Sequence, residues 1–224
     1  MTDRPLDADD VARYLSDHPD FFQSYMELLA SITVPHPHGG RAISLQERQV
    51  EVLREKHRVL EMKLAELLRI GQENDAIADK LQRWTRQQLL ASDAAQLPDI
   101  VVDGLRTIFS VPQVAMRLWG VREAYLDLES AQPVPVDVIT LANSMKQPFC
   151  GPNSDFQAAL WLPDGGADTR SIALLPLRKG IDPKAFGLIV LGSADPDRFQ
   201  AGMGTAFLER IGETASAALS RLAE

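Results

Sequence analysis

The 224-residue chain holds a single cysteine, Cys150, so no disulfide framework can form within it. No window approaches the roughly 18 apolar residues of a membrane span. The N-terminus, MTDRPLDADDVARYL, lacks a positively charged stretch ahead of an apolar core and so lacks the marks of a secretory signal. Basic charge is scarce as well: 23 lysines and arginines face 31 acidic residues, a formal net charge of -8. A general nucleic-acid binder needs a basic face to displace counterions from phosphates, so that class is set aside and only a local basic patch is left open. By elimination, these absences predict a cytoplasmic protein with no membrane association and no direct nucleic-acid partner. What is present, 45% hydrophobic and 24% charged residues, is an ordinary globular composition, long enough for one full-sized domain and an appendage.

Proline is absent from Ser44 to Ala91, and Gly71 is the one glycine there. At about 1.5 Å per residue a helix of that span reaches about 70 Å, more than a small domain is wide. Apolar residues recur at Leu53, Leu60, Leu64 and Leu67, then at Ile70, Ile77, Leu81 and Trp84. These steps of three and four are those of a coiled-coil seam, shifted near Leu67–Gly71. Asn74 falls on the seam in either register, where a polar residue can specify a two-stranded state. The expectation is a homodimer through the long helix; the alternative is a helix folded back on its own chain. Ahead of it, residues 7 to 32 predict two short helices. Asp7 or Asp9 caps the first, Pro19 starts a second, and Phe21, Phe22, Tyr25, Leu28, Leu29 and Ile32 line the second.

Beyond Pro98 the pattern predicts a helix (DIVVDGLRTIF), a strand (QVAMRLWG), a half-buried strand (EAYLDLES) and a helix (VDVITLANSMKQ). Strand candidates QAALWLP, SIALLPLR and AFGLIVLGS follow, separated by turn-rich joints. An amphipathic helix with Phe207, Ile211 and Leu219 inward closes the chain. Short, mostly hairpin-connected strands between helices predict an α+β fold on an antiparallel sheet. The divisions expected are residues 1–43 for the short helices and linker, 44–92 for the long helix, and 93–224 for the sheet domain.

Candidate chemistry is sparse. His36 and His38, joined by His18 or His57, invite a metal reading. A structural zinc site wants four Cys or His ligands at paired spacings, and no carboxylate lies between Ala30 and Gln46. The competing reading is a joint. Pro35 and Pro37 hold an extended segment, Gly39–Gly40 bend it, and Ser44 with Glu47 forms a capping box that launches the long helix. The joint is preferred, and no metal is expected. Cys150 is the most reactive side chain, but it has no resolving thiol and every histidine lies far upstream. It reads as a small buried residue beside a turn. GMGTAF, residues 202 to 207, lacks the third glycine of a dinucleotide loop. Asp127, Glu129, Asp137, Asp155 and Asp164 show no spacing that singles out a catalytic pair.

The run SIALLPLR, AFGLIVLGS, DPDRF and a terminal helix resembles the GAF domain, a small-molecule sensing module of signalling proteins, over roughly residues 75 to 223. The N-terminal motifs VARYLSDHPDFF, LLASITVPHPHGGRAISLQERQVEVLR and ENDAI are similar to those of a bacterial family known as domain of unknown function 484. That resemblance implies a GAF-like fold behind a helical N-terminus, dimeric, with no established activity. It also implies a ligand pocket between the sheet and its covering helices, with Arg117, Trp119, Phe149, Cys150, Trp161 and Ser171 the residues to watch. An arginine and two tryptophans there could anchor a flat anionic ligand, or the tryptophans could simply fill the core. No cofactor is specified. The functional expectation is a dimeric, non-enzymatic regulatory module that senses a small molecule and signals to a protein partner through its helices. The alternative is a ligand-free interaction scaffold with a degenerate pocket. An enzyme built on Cys150 ranks last.

Overall fold

The computed structural model describes residues 7–36, 39–201 and 205–224, and for Ala30 and the strand and helix residues between 34 and 46 the backbone alone. The chain divides into two compact units, Met1–Glu73 and Asn74–Glu224.

In the first unit, α1 (Ala8–Asp17) starts at Asp7, whose carboxylate accepts from the Ala8 amide at 2.7 Å. A single helix expected over residues 21 to 32 is instead two, α2 (Phe21–Ser24) and α3 (Met26–Ser31). The chain leaves helical geometry at Tyr25, which keeps its ring stacked on Phe21 at 4.7 Å. The proline–histidine segment is a hairpin rather than a simple bend. Strands β1 (Thr33–His36) and β2 (Gly39–Ser44) pair antiparallel, Val34 opposite Ile43, so Gly39 and Gly40 belong to a strand. β-branched Thr33, Val34 and Ile43 favour extended backbone, and a two-stranded ribbon has the free edges that tolerate Pro35. The helix α4 (Leu45–Leu89) begins immediately after Ser44, as expected; the Ser44 side chain and so the capping box lie outside the described residues. Within residues 7–73, no side chain whose surroundings are described is buried.

The second unit is built on a four-stranded antiparallel sheet of order β3-β6-β5-β4. After α5 (Leu97–Thr107) come β3 (Gln113–Leu118), α6 (Val136–Ser144), β4 (Phe149–Pro152), β5 (Ser171–Arg178), β6 (Ala185–Ser193) and α7 (Ala206–Leu219). The α+β antiparallel architecture expected from the sequence is present, with two strands reassigned. EAYLDLES forms 3₁₀ turns over Glu123–Tyr125 and Glu129–Ala131, and QAALWLP a 3₁₀ turn over Gln157–Trp161. Inward residues Tyr125, Leu128 and Ala131 in one and Phe156, Ala159 and Leu162 in the other recur every three residues, the 3₁₀ period, with Ala158 buried beside the second set. The fourth strand comes from FCGP, too short to show alternation. Pro176 lies in β5 beyond the last β4 pair, Phe149↔Leu174, where β5 is an edge and a missing amide hydrogen leaves no partner unpaired.

Each sheet face carries its own apolar layer. Met116, Leu118, Ala173, Leu175, Ile189 and Leu191 pack under α5, α7 and the end of α4. Ala115, Ile172, Leu174, Leu188 and Val190 pack under α6 and the 157–162 turn. Trp84, expected on an intermolecular seam, is 0% exposed and belongs to the first of these layers, with Leu81 packed beside it. Its indole meets Phe109 edge-on at 5.7 Å and donates to the Val101 carbonyl at 3.4 Å. The facing residue is Gly104 of α5, where a β-carbon would stand 2.1 Å from Trp84 Cδ1.

Gly104→Ala isolates this contact. Helix propensity alone favours alanine by about 1 kcal/mol, whereas the overlap with Trp84 predicts a net loss of about 1–3 kcal/mol. Trp84→Ala is expected to lose about 3–5 kcal/mol. Urea denaturation followed by circular dichroism measures both; a stabilised Gly104→Ala protein contradicts the packing.

A charged cleft at the edge of the sheet

Strand alternation decides which of the residues singled out by sequence meet. Arg117 lies opposite Leu188 and Phe149 opposite Leu174, so both face the α6 side of the sheet. Trp119 and Trp161 pack against that same layer. Cys150 and Ser171 belong to the other face, where Cys150 lies opposite Ala173 and packs in the α7-side layer. The six residues therefore do not converge on one pocket.

Most of them are engaged in the fold. Trp119 Nε1 donates to the Ala185 carbonyl at 2.6 Å, and Phe149 meets Phe156 edge-on at 5.2 Å. Ser171 Oγ donates to the Asp195 carbonyl at 2.6 Å, holding the chain after β6. Beneath the aromatic residues, Ile172, Leu174, Leu188 and Val190 are fully buried and fill the α6 face. Burial pushes the Cys150 thiol above its ordinary range. Among the described residues, no group of three or more His, Cys, Asp or Glu side chains is placed to hold a metal ion. The side chains of His36 and His38 and the glycines of GMGTAF lie outside the described residues.

Arg117 and Trp161 do come together. The guanidinium stands 5.9 Å from the Trp161 ring and donates to Gln132 Oε1 at 3.2 Å and to the Met116 carbonyl at 3.3 Å. Both residues line a cleft of about 440 Å³ along the free edge of β3, with Asp99, Asp103 and Arg106 of α5 on the opposite wall and Glu129 and Ser130 closing it. Arg106 reaches across to donate to the Val114 carbonyl at 2.8 Å. None of these five charged side chains forms an ion pair among the described residues, and the buried Ser130 hydroxyl has no hydrogen-bond partner. Unpaired charges of both signs, an unsatisfied hydroxyl and an aromatic wall suit a small amphoteric molecule, since a guanidinium can take a carboxylate through two parallel hydrogen bonds. Sequence reading missed the α5 wall, although Asp99, Asp103 and Arg106 recur at steps of four and three on one helix face.

A larger groove of about 580 Å³ runs between α7 and β5, lined by Lys146, Arg178, Glu209 and Glu213 among others. Its arginine is committed to structure: it donates to the carbonyls of Ala142 at 2.9 Å, of Pro183 at 3.2 Å and of Met145, tying the end of α6 to the sheet. Burial lowers the guanidinium pKa below its ordinary value.

An antiparallel sheet layered by helices on both faces, with a polar cleft at one edge, makes the second unit a small α+β domain. The chain belongs to the family described as protein of unknown function, DUF484, whose model it matches over residues 1–224. It is 28% identical over 216 residues to the uncharacterized protein YigA of Salmonella typhimurium strain LT2, a match covering 92% of this chain and 88% of that protein. Among solved structures it is similar to the GAF domain of an Acinetobacter phosphoenolpyruvate-protein phosphotransferase, at 16% identity and TM-score 0.48, covering 64% of this chain and 92% of that one. It is also similar to the free methionine-R-sulfoxide reductase of Neisseria meningitidis, at 16% identity and TM-score 0.46, covering 64% and 88%. No helix among the described residues is long and apolar enough to cross a membrane.

A raised thiol pKa delays thiolate formation. Iodoacetamide modification of Cys150 is therefore expected to reach half-maximal rate at a more alkaline pH in the native protein than in urea. By linkage, the stability associated with the buried neutral thiol is fully present below the unfolded pKa and lost as pH rises through the folded one. A native midpoint below the unfolded one contradicts this environment.

Proposed function

We propose that the protein is a dimeric, GAF-like regulatory module that holds a small amphoteric molecule in the β3-edge cleft and passes its occupancy to α4 and thence to a protein partner. The observation that carries this reading is the double role of α5. Asp99, Asp103 and Arg106 line the cleft, while Gly104, next in sequence to Asp103, receives Trp84 of α4. A ligand bridging α5 and β3 bears on the same helix that positions the end of α4, which gives the two sites a shared element to bias. The module needs no catalytic group in this scheme, and the raised pKa of Cys150 is the opposite of what a reactive thiolate requires. The dimer is supported by the first unit, where Leu53, Leu60, Leu64 and Leu67 of α4 are all more than half exposed. A cytoplasmic location remains part of the proposal.

A second reading, a scaffold that binds partners without a ligand, draws on the α6 face of the sheet. That face is filled by side chains, with Trp119 locked to Ala185. In this reading the aromatic cluster of Tyr14, Phe21, Phe22 and Tyr25 does the binding.

Native mass spectrometry of protein purified from its host separates the two. The regulatory reading predicts a bound small molecule that Arg117→Ala or Asp103→Ala releases; a ligand at 100 times its Kd adds about 2.7 kcal/mol of stability. A flat melting-temperature screen across amino acids, nucleotides and carboxylic acids, with no retained mass, contradicts it. Light scattering at micromolar concentration is expected to give twice the chain mass, and a monomer contradicts the dimer.

A further inference from the structure

We infer that α4 from Leu53 to Ile70 is the docking surface for a second copy of the chain, paired parallel and in register. The inference rests on the dimeric reading above and adds orientation and register to it. Leu53, Leu60, Leu64, Leu67 and Ile70 are 63%, 64%, 58%, 66% and 41% exposed, on a unit with no buried side chain among those described. An isolated helix gains its stability mainly from packing an apolar face, and this face has nothing on its own unit to pack against. Steps of four and three place Leu53, Leu60 and Leu67 at d positions, and His57 and Leu64 at a positions, of a coiled coil.

The flanking charges choose the orientation. Lys56 and Lys63 precede the a positions, at g, and Arg54 and Glu61 follow the d positions, at e. In a parallel pair each g residue faces the e residue five positions on, so Lys56 meets Glu61 of the partner subunit, twice per dimer. An antiparallel pair sets g against g, Lys56 against Lys63, and e against e, Arg54 against Glu61. Its attraction is offset by repulsion, whereas the parallel pair has the attraction alone. Within the chain, Arg69 is paired with Glu66 at 2.7 Å and Glu61 lies 3.4 Å from His57, so Glu61 would meet the partner's lysine while staying beside the seam residue His57. His57 fixes the register. In register it lies opposite His57 of the partner subunit, whereas a shift by one heptad sets it against leucine, leaving a polar ring facing an apolar layer.

The test uses the full chain in a Cys150→Ser background carrying either Leu53→Cys, at a d position, or Leu64→Cys, at an a position, oxidised with copper phenanthroline, with mass measured by light scattering. Each variant alone is expected to form a disulfide-linked dimer. Cross-linking only when the two variants are mixed shows an antiparallel dimer and overturns the inference while leaving the dimeric reading. A dimer with no cross-link at either position places the interface elsewhere and also overturns it. A monomer overturns both. Independently, Lys56→Glu is expected to raise the dimer Kd about three- to tenfold, and adding Glu61→Lys to restore it; failure of the double variant to recover contradicts the parallel pairing.

Discussion

The insertion of Trp84 against Gly104 is the contact on which the rest of the second unit depends. A side chain at residue 104 would occupy the space the indole fills, so the glycine of α5 and the tryptophan of α4 specify one another. The indole then carries Phe109, which in turn contacts Phe207 of α7 at 5.5 Å, so one aromatic chain links α4, the turn after α5 and α7 over a single sheet face. Gln88, one turn on from Trp84, is buried in the same region. The end of α4 is part of the domain core rather than a linker leading into it.

The first unit follows the opposite rule. Its helices and hairpin are well specified locally: Asp7 caps α1, and Val34 and Ile43 pair across the hairpin. Yet none of its described side chains is buried, and the apolar seam of α4 remains open there. The hydrophobic effect is the main driving term in folding, and a unit whose described side chains are at most partly buried supports the proposal that it associates. Solvated ion pairs such as Arg69 with Glu66 mark the face turned to water.

Much of this was legible in the sequence, for identifiable reasons. α4 was legible because long amphipathic periodicity without proline has few alternatives, and β6 appears within the bounds of its apolar run, Ala185–Ser193. The misreadings share a cause: short segments whose pattern fits more than one period. EAYLDLES alternates like a strand but partly buries Tyr125 and Leu128 at the 3₁₀ spacing, and FCGP is too short for any period to show. Trp84 satisfied the seam pattern, and only the space beside Gly104, distant in sequence, assigns it inward. Of the candidate site, Arg117 and Trp161 were found because their chemistry is conspicuous. Cys150 and Ser171 were grouped with them because the family resemblance names segments of the pocket lining and not which face each strand residue takes, which the strand pairing sets. The cleft's α5 wall depends on where a helix lies against an edge strand, which no local pattern encodes.

The central claim is that the cleft and α4 are joined through α5. Arg106, on α5, bonds the Val114 carbonyl across the cleft, and Gly104, two residues earlier, holds Trp84. Amide hydrogen exchange of the Arg106→Ala protein tests the connection most directly. The account predicts faster exchange in residues 84–89 of α4 together with α5. Loosening confined to β3 and the adjacent 129–131 turn, with residues 84–89 exchanging as in the wild type, contradicts it.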